Sequence, residues 1–220
     1  MRRSLKLTVM ALAATTLLGA ALSSASARNL SFSSQAIRAT WTHLDFDTGM
    51  GIIIECLITL EGSFHSRTIT KTANALIGAI TRAWSKQDSC TQGIAAMFNG
   101  VERYNGATTP NTLPWHLTYE SFAGELPNIT RIRLLFGRFR FGIRDMLGAC
   151  TGQYGTAANN ITISAPISGT EITSITPVEG RNIASLSRTD GGSCPSAIAL
   201  RSEGQLMALN TTNRISVTLI

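Results

Sequence analysis

No Cys-x-x-Cys pair occurs in these 220 residues, and the three histidines, His43, His65 and His116, are scattered without ligand spacing, which argues against a zinc site. A Gly-x-Ser-x-Gly nucleophile elbow, a phosphate-cradling glycine loop and a dinucleotide fingerprint are all missing, so no cofactor is expected. Asp-Thr-Gly, the local signature of aspartic proteases, occurs once, at residues 47–49, whereas that chemistry needs two aspartates sharing a proton. Internal repeats and low-complexity linkers are absent. After residue 27, no apolar run approaches the roughly 18 to 20 residues that cross a bilayer, so no transmembrane span is expected in the remainder.

The first 27 residues have the build of a secretory signal. Arg2, Arg3 and Lys6 form a positive start, residues 7–22 are apolar and rich in Ala and Leu, and Ala25-Ser26-Ala27 is a small-x-small cleavage pattern. Residues 28–220 are then expected to form one secreted β-domain, large enough to bury its own core. Three of the 19 basic residues and none of the 13 acidic ones lie in the leader, which leaves +3 on the remainder. All four cysteines, Cys56, Cys90, Cys150 and Cys194, follow the leader. An even count in an exported chain implies two disulfides, and Cys56 with Cys90 and Cys150 with Cys194 is the favoured pairing because each closes a loop of modest length.

Alternation of apolar and polar residues dominates this remainder and argues for strands. Ile52, Ile54, Cys56, Ile58 and Leu60 share one face, with Glu55, Thr59 and Glu61 on the other. Ile37, Ala39 and Trp41, then Trp115, Leu117 and Tyr119, then Ile161, Ile163 and Ala165, and finally Ile215, Val217 and Leu219 repeat the pattern. Residues 69–84 differ: Ile69, Ala73, Leu76, Ile77, Ile80 and Trp84 fall at helical spacing, which suits a short helix, while Gly78 and the β-branched Thr and Ile residues count against it and leave a turn followed by a strand through Ile80 as the alternative. Either a short helix or a strand fits there. The simplest architecture is a mainly β, antiparallel β-sandwich with two disulfides.

Residues 131–144 are the most distinctive stretch. Apolar residues are even before Gly137 (Ile132, Leu134, Phe136) and odd after it (Phe139, Phe141, Ile143), with Arg131, Arg133, Arg138, Arg140 and Arg144 in the complementary positions. One extra residue in a strand reverses the phase, so a β-bulge is expected near residues 135–137, placing all five arginines on one face. With Asp145 they contribute +4, more than the whole net charge of the remainder. A guanidinium stripe suits anionic polymers, because each guanidinium grips two oxygens and each contact releases counterions. Cell-envelope polymers or lipid head groups are the expected partners. The competing reading is a solvated face whose arginines pair with neighbouring acids.

Two catalytic alternatives and one structural alternative stand beside this. Asp47 could serve a one-lobed aspartic protease, although an Asp-Gly hairpin turn explains the same residues. Ser63 and His65 lie on one side of a strand, about 7 Å apart, too far for direct proton relay without rearrangement. A self-assembling protein would instead pair its sheet edges with copies of itself.

The run from Cys56 through Glu61-Gly62-Ser63-Phe64-His65 to Ile69, then Leu76-Ile77-Gly78, Thr81-Arg82-Ala83, Leu113-Pro114-Trp115-His116 and Leu126-Pro127-Asn128-Ile129-Thr130, resembles a group of secreted proteins of soil actinobacteria whose activity is uncharacterised. The resemblance implies a bacterial exported product and assigns no catalytic residue. The expected function is therefore non-catalytic binding at the envelope or outside the cell.

Overall fold

Two long strands carry the core, and their burial follows the alternation read from the sequence. In the computed structural model, which describes residues 29–125, 127–148, 150–155, 161–178, 183–188 and 194–220, β1 (Asn29–Phe32) leads into β2 (Ala36–Asp47) and β3 (Ile53–Phe64). Ile37, Ala39 and Trp41 on β2, and Ile54, Cys56, Ile58 and Leu60 on β3, are buried. The leader lies outside the described residues.

The chain continues through β4 (Thr68–Thr70), β5 (Leu76–Lys86), a single 3-10 turn at Gln87–Ser89, β6 (Gly93–Met97), and the short hairpin of β7 (Arg103–Tyr104) and β8 (Ala107–Thr108). Then come β9 (Trp115–Ala123), β10 (Arg131–Gly137), β11 (Arg140–Asp145), β12 (Thr151–Gly155) and β13 (Ile161–Ser168). Two-residue strands β14 (Glu171–Ile172) and β15 (Thr176–Pro177) precede β16 (Ile183–Arg188), β17 (Ala197–Arg201), β18 (Gln205–Ala208) and β19 (Val217–Leu219). Among the described residues no helix is long and apolar enough to cross a membrane.

All pairings among the described residues are antiparallel. The main sheet runs β14-β13-β10-β9-β5-β3-β2-β17-β16-β12-β11-β6, and β1 sits between β19 and β4 in a small separate sheet. β10 is third from one end of the long path and β11 second from the other, yet only Arg138 and Phe139 separate them. Three Cα steps reach at most about 11 Å, so the sheet curls until its two ends approach, giving a sandwich-like body around a shared core. Ring contacts confirm the closure: Phe46 of β2 lies 5.0 Å from Phe141 of β11, and Trp115 of β9 lies 4.8 Å from Phe139.

Both disulfides pair as the loop lengths favoured, Cys56 with Cys90 and Cys150 with Cys194. Residues 69–84 form a turn and a strand, not a helix. Gly78 is the reason: it faces β3 so closely that a Cβ there would fall 2.4 Å from the Ser63 carbonyl oxygen, and Gly62 approaches Ala79 in the same way. The helical spacing of the apolar residues is incidental to a strand with a tight backbone contact.

The expected bulge at residues 135–137 is not formed. β10 pairs with β9 and β13, and β11 with β12 and β6, so the phase reversal marks a change of strand neighbours instead of an extra residue in one strand. Arg138 makes the break, with φ 64° in the left-handed region. A bulge does occur alongside, on β9, where Glu120 is the unmatched residue between the Ser121–Arg133 and Tyr119–Leu134 pairs.

Candidate functional site

Each candidate arginine owes its environment to its cross-strand neighbours. Arg131 stands opposite Ala123 of β9 and Pro166 of β13, and Arg133 opposite Ser121 and Ser164. Four short or acid-free side chains therefore flank two guanidiniums, and the outer face of β10 is left hollow. Arg131 and Arg133, both exposed, line one cavity of about 270 Å³ together with Ser121, Phe122 and Ala123. Phe122 stands opposite the buried Ile132 and packs against the core, with Lys71 Nζ 5.4 Å from the centroid of its ring.

The other three arginines do not join this pair. Arg138 is exposed in the break between β10 and β11, Arg140 is half-buried opposite Gly155, and Arg144 stands opposite Thr151 and Ile94 at the far end of β11. Arg144 lines a different cavity, of about 350 Å³, with Cys90, Gln92, Gly93, Ile94, Asp145 and Met146. The five arginines point away from the core, as their buried neighbours Ile132, Leu134, Phe139, Phe141 and Ile143 require, but they occupy two segments with different neighbours.

None of the five makes an ion pair among the described residues. Elsewhere arginines do. Arg38, Glu61 and Arg82 fall in register across β2, β3 and β5. Arg38 Nε donates to Glu61 Oε1 at 2.8 Å, and Arg82 Nη1 to Oε2 at 2.9 Å. Alternation puts Glu61 on the solvent side of β3, and it does lie on that side, but the two guanidinium stems cover it and its side chain is only 4% exposed. Arg201 pairs with Asp47 at 3.0 Å.

That last contact settles where Asp47 is engaged: it also accepts the Gly49 N–H at 2.7 Å, inside the turn that joins β2 to β3, where Gly49 and Gly51 both have positive φ. Ser63 pairs across β3 with Ala36 and Ala79, His65 is exposed beyond the strand, and no hydrogen bond between the two side chains occurs among the described residues. No three His, Cys, Asp or Glu side chains gather as metal ligands there either.

One acid in a different setting is Glu102, ahead of β7. Its carboxylate accepts N–H groups from Ser85 at 2.6 Å and Met97 at 2.8 Å and from the Asn99 side-chain amide at 3.1 Å, and among the described residues it makes no ion pair. Burial pushes its pKa above the ordinary carboxylate value, and those hydrogen bonds only partly oppose the rise.

Sequence reading missed Ser121, Phe122 and Ala123 as the β9 wall of the cleft. A signal existed: the apolar phase of β9 is odd through Tyr119 and even at Phe122, which is the imprint of the bulge at Glu120. Comparisons of the chain with models of protein families, with curated proteins and with solved structures returned no match.

Proposed function

We infer that this chain is exported and binds an anionic polymer of the cell envelope without catalysis, with Arg131 and Arg133 as the anchoring pair. The observation that carries the reading is that two exposed guanidiniums line one cavity and have no carboxylate partner among the described residues. An unpaired arginine keeps its full capacity for bidentate contact with phosphate or carboxylate, whereas a paired one must first give up its own acid. Phe122, partly buried against the core, closes one side of the same cleft. Arg138, Arg140 and Arg144 extend the basic surface along β11 and supply longer-range attraction. The leader pattern and the two disulfides support export to an oxidising compartment.

Co-sedimentation with purified cell walls at low and high salt tests this. The expected result is binding that weakens steeply as salt rises and that drops roughly ten-fold or more in Arg131→Gln/Arg133→Gln, because ionic contacts with a polyanion are driven by counterion release. Binding that is indifferent to both salt and the double substitution would remove the cleft as the anchoring site.

A further inference from the structure

Two of the three most exposed apolar residues of the described chain, Met146 and Leu147, are adjacent on a turn at one end of the body, whereas Val101, 79% exposed, stands apart from them ahead of β7. Met146 is 75% and Leu147 86% exposed, at the tip of the β11–β12 hairpin, and Met50 is 52% exposed in the turn between β2 and β3. Strand pairings put both turns at the same end: Asp47 faces Ala199, Ile198 faces Ile183, Arg188 faces Gly152 and Thr151 faces Arg144, in antiparallel succession from β2 to β11.

The tip is held in place from behind. Met146 N–H donates to the Gln92 carbonyl at 2.9 Å, Gly148 N–H to the Asp145 carbonyl at 3.1 Å, and Cys150 N–H to Asp145 Oδ2 at 3.1 Å. Cys150 is bonded to Cys194. Gly148, with φ 69°, reverses the chain and lets the Arg144 side chain lie over the turn; a Cβ on Gly148 would sit 3.3 Å from Arg144 Nη2. A second guanidinium, that of Arg188, is fixed at the same end by donating to the Cys194 carbonyl at 3.1 Å. Among the described residues at this end, Asp47 pairs with Arg201, and Asp145, which is buried, accepts the Cys150 N–H through Oδ2.

The tip thus presents a protruding pair of long apolar side chains with guanidiniums set one step behind. This arrangement fits the boundary of a bilayer, where apolar side chains enter the acyl region and arginines stop at the phosphates. We propose that the β11–β12 turn docks this protein on an anionic lipid surface, with Met146 and Leu147 inserted and Arg144 and Arg188 at the head groups. Hydrogen bonds hold Met146 and Gly148, and a disulfide holds Cys150, before contact, which lowers the ordering cost of binding. This site is separate from the β9–β10 cleft and does not depend on it.

The test uses the protein recovered from a secreting host with its disulfides oxidised, sedimented with vesicles of phosphatidylcholine alone and of phosphatidylcholine with phosphatidylglycerol. Binding is expected to the mixed vesicles. Met146→Ser/Leu147→Ser should lower it by roughly ten-fold or more, from the apolar area that no longer leaves water. Arg144→Gln should lower it about five-fold at low salt. Unchanged thermal unfolding of the double variant is the control for folding, since both side chains are exposed. Wild-type protein that ignores mixed vesicles, or a double variant that binds them as well as wild type, overturns the proposal. So does a loss that follows Arg131→Gln/Arg133→Gln in place of the tip, and those same variants, assayed on cell walls, report separately on the polymer cleft.

Discussion

Two groups of arginines stand on the outer side of the same curled sheet and serve different ends. On β2 and β5, Arg38 and Arg82 flank Glu61 in register, and Arg82 also lies 5.4 Å from the Trp84 ring centroid. On β10, Arg131 and Arg133 meet alanine, proline and serines. The residue type is the same; the cross-strand neighbour decides whether its charge is consumed by the fold or left for a ligand. A bulge contributes on each side. Thr81 is the unmatched residue that brings Arg82 opposite Glu61, and Glu120 is the unmatched residue that leaves Ser121 opposite Arg133. One bulge completes an ion pair and the other removes an acid from the row where it would have formed one.

The largest effect is expected from breaking the paired group. Glu61→Ala should destabilise the protein by about 2–3 kcal/mol, measured as the shift in urea unfolding free energy. The value lies below that of a fully buried pair because the Arg38 and Arg82 side chains, 39% and 72% exposed, can turn to water once the carboxylate is gone. A smaller effect tests a carboxylate that has hydrogen bonds but no arginine. Glu102 has a raised pKa from burial, so the folded state holds its proton more tightly than the unfolded state. Its contribution to stability is present in full below the ordinary carboxylate pKa and is lost as pH rises through the raised value, and Glu102→Gln should flatten that slope in unfolding measurements across the weakly acidic range. The smallest effect on stability comes from giving the free group a partner. Ser164→Glu places an acid opposite Arg133 and should stabilise by no more than about 0.5 kcal/mol, as exposed pairs do. Cell-wall binding should nevertheless fall, because the guanidinium is then occupied.

Local pattern was enough for the strands of the core, because burial of one face imposes period two on β2, β3, β9 and β13 whatever their neighbours are. It was also enough for the turn at residues 48–52 and for the choice of disulfide partners. It was not enough wherever the answer depended on which strand lies alongside. The phase reversal at Gly137 was visible, but its cause, a chain crossing from the β9–β13 side of the sheet to the β12–β6 side, is a non-local fact. Glu61 was legible as an outward residue and not as a covered one, since its cover comes from β2 and β5. The arginine stripe was legible as charge, while its division into a paired cleft at Arg131 and Arg133 and a separate segment through Arg144 required the pairings.

The most direct measurement sets the two groups against each other: Arg38→Gln/Arg82→Gln and Arg131→Gln/Arg133→Gln, each assayed for urea unfolding and for cell-wall binding at low salt. If the account holds, the first variant loses stability by about 1–3 kcal/mol, because Glu61 is left buried without its cations, and keeps its binding, while the second unfolds within about 0.5 kcal/mol of wild type and loses binding. The reverse outcome, in which the β10 pair supports the fold and its removal spares binding, would contradict the division.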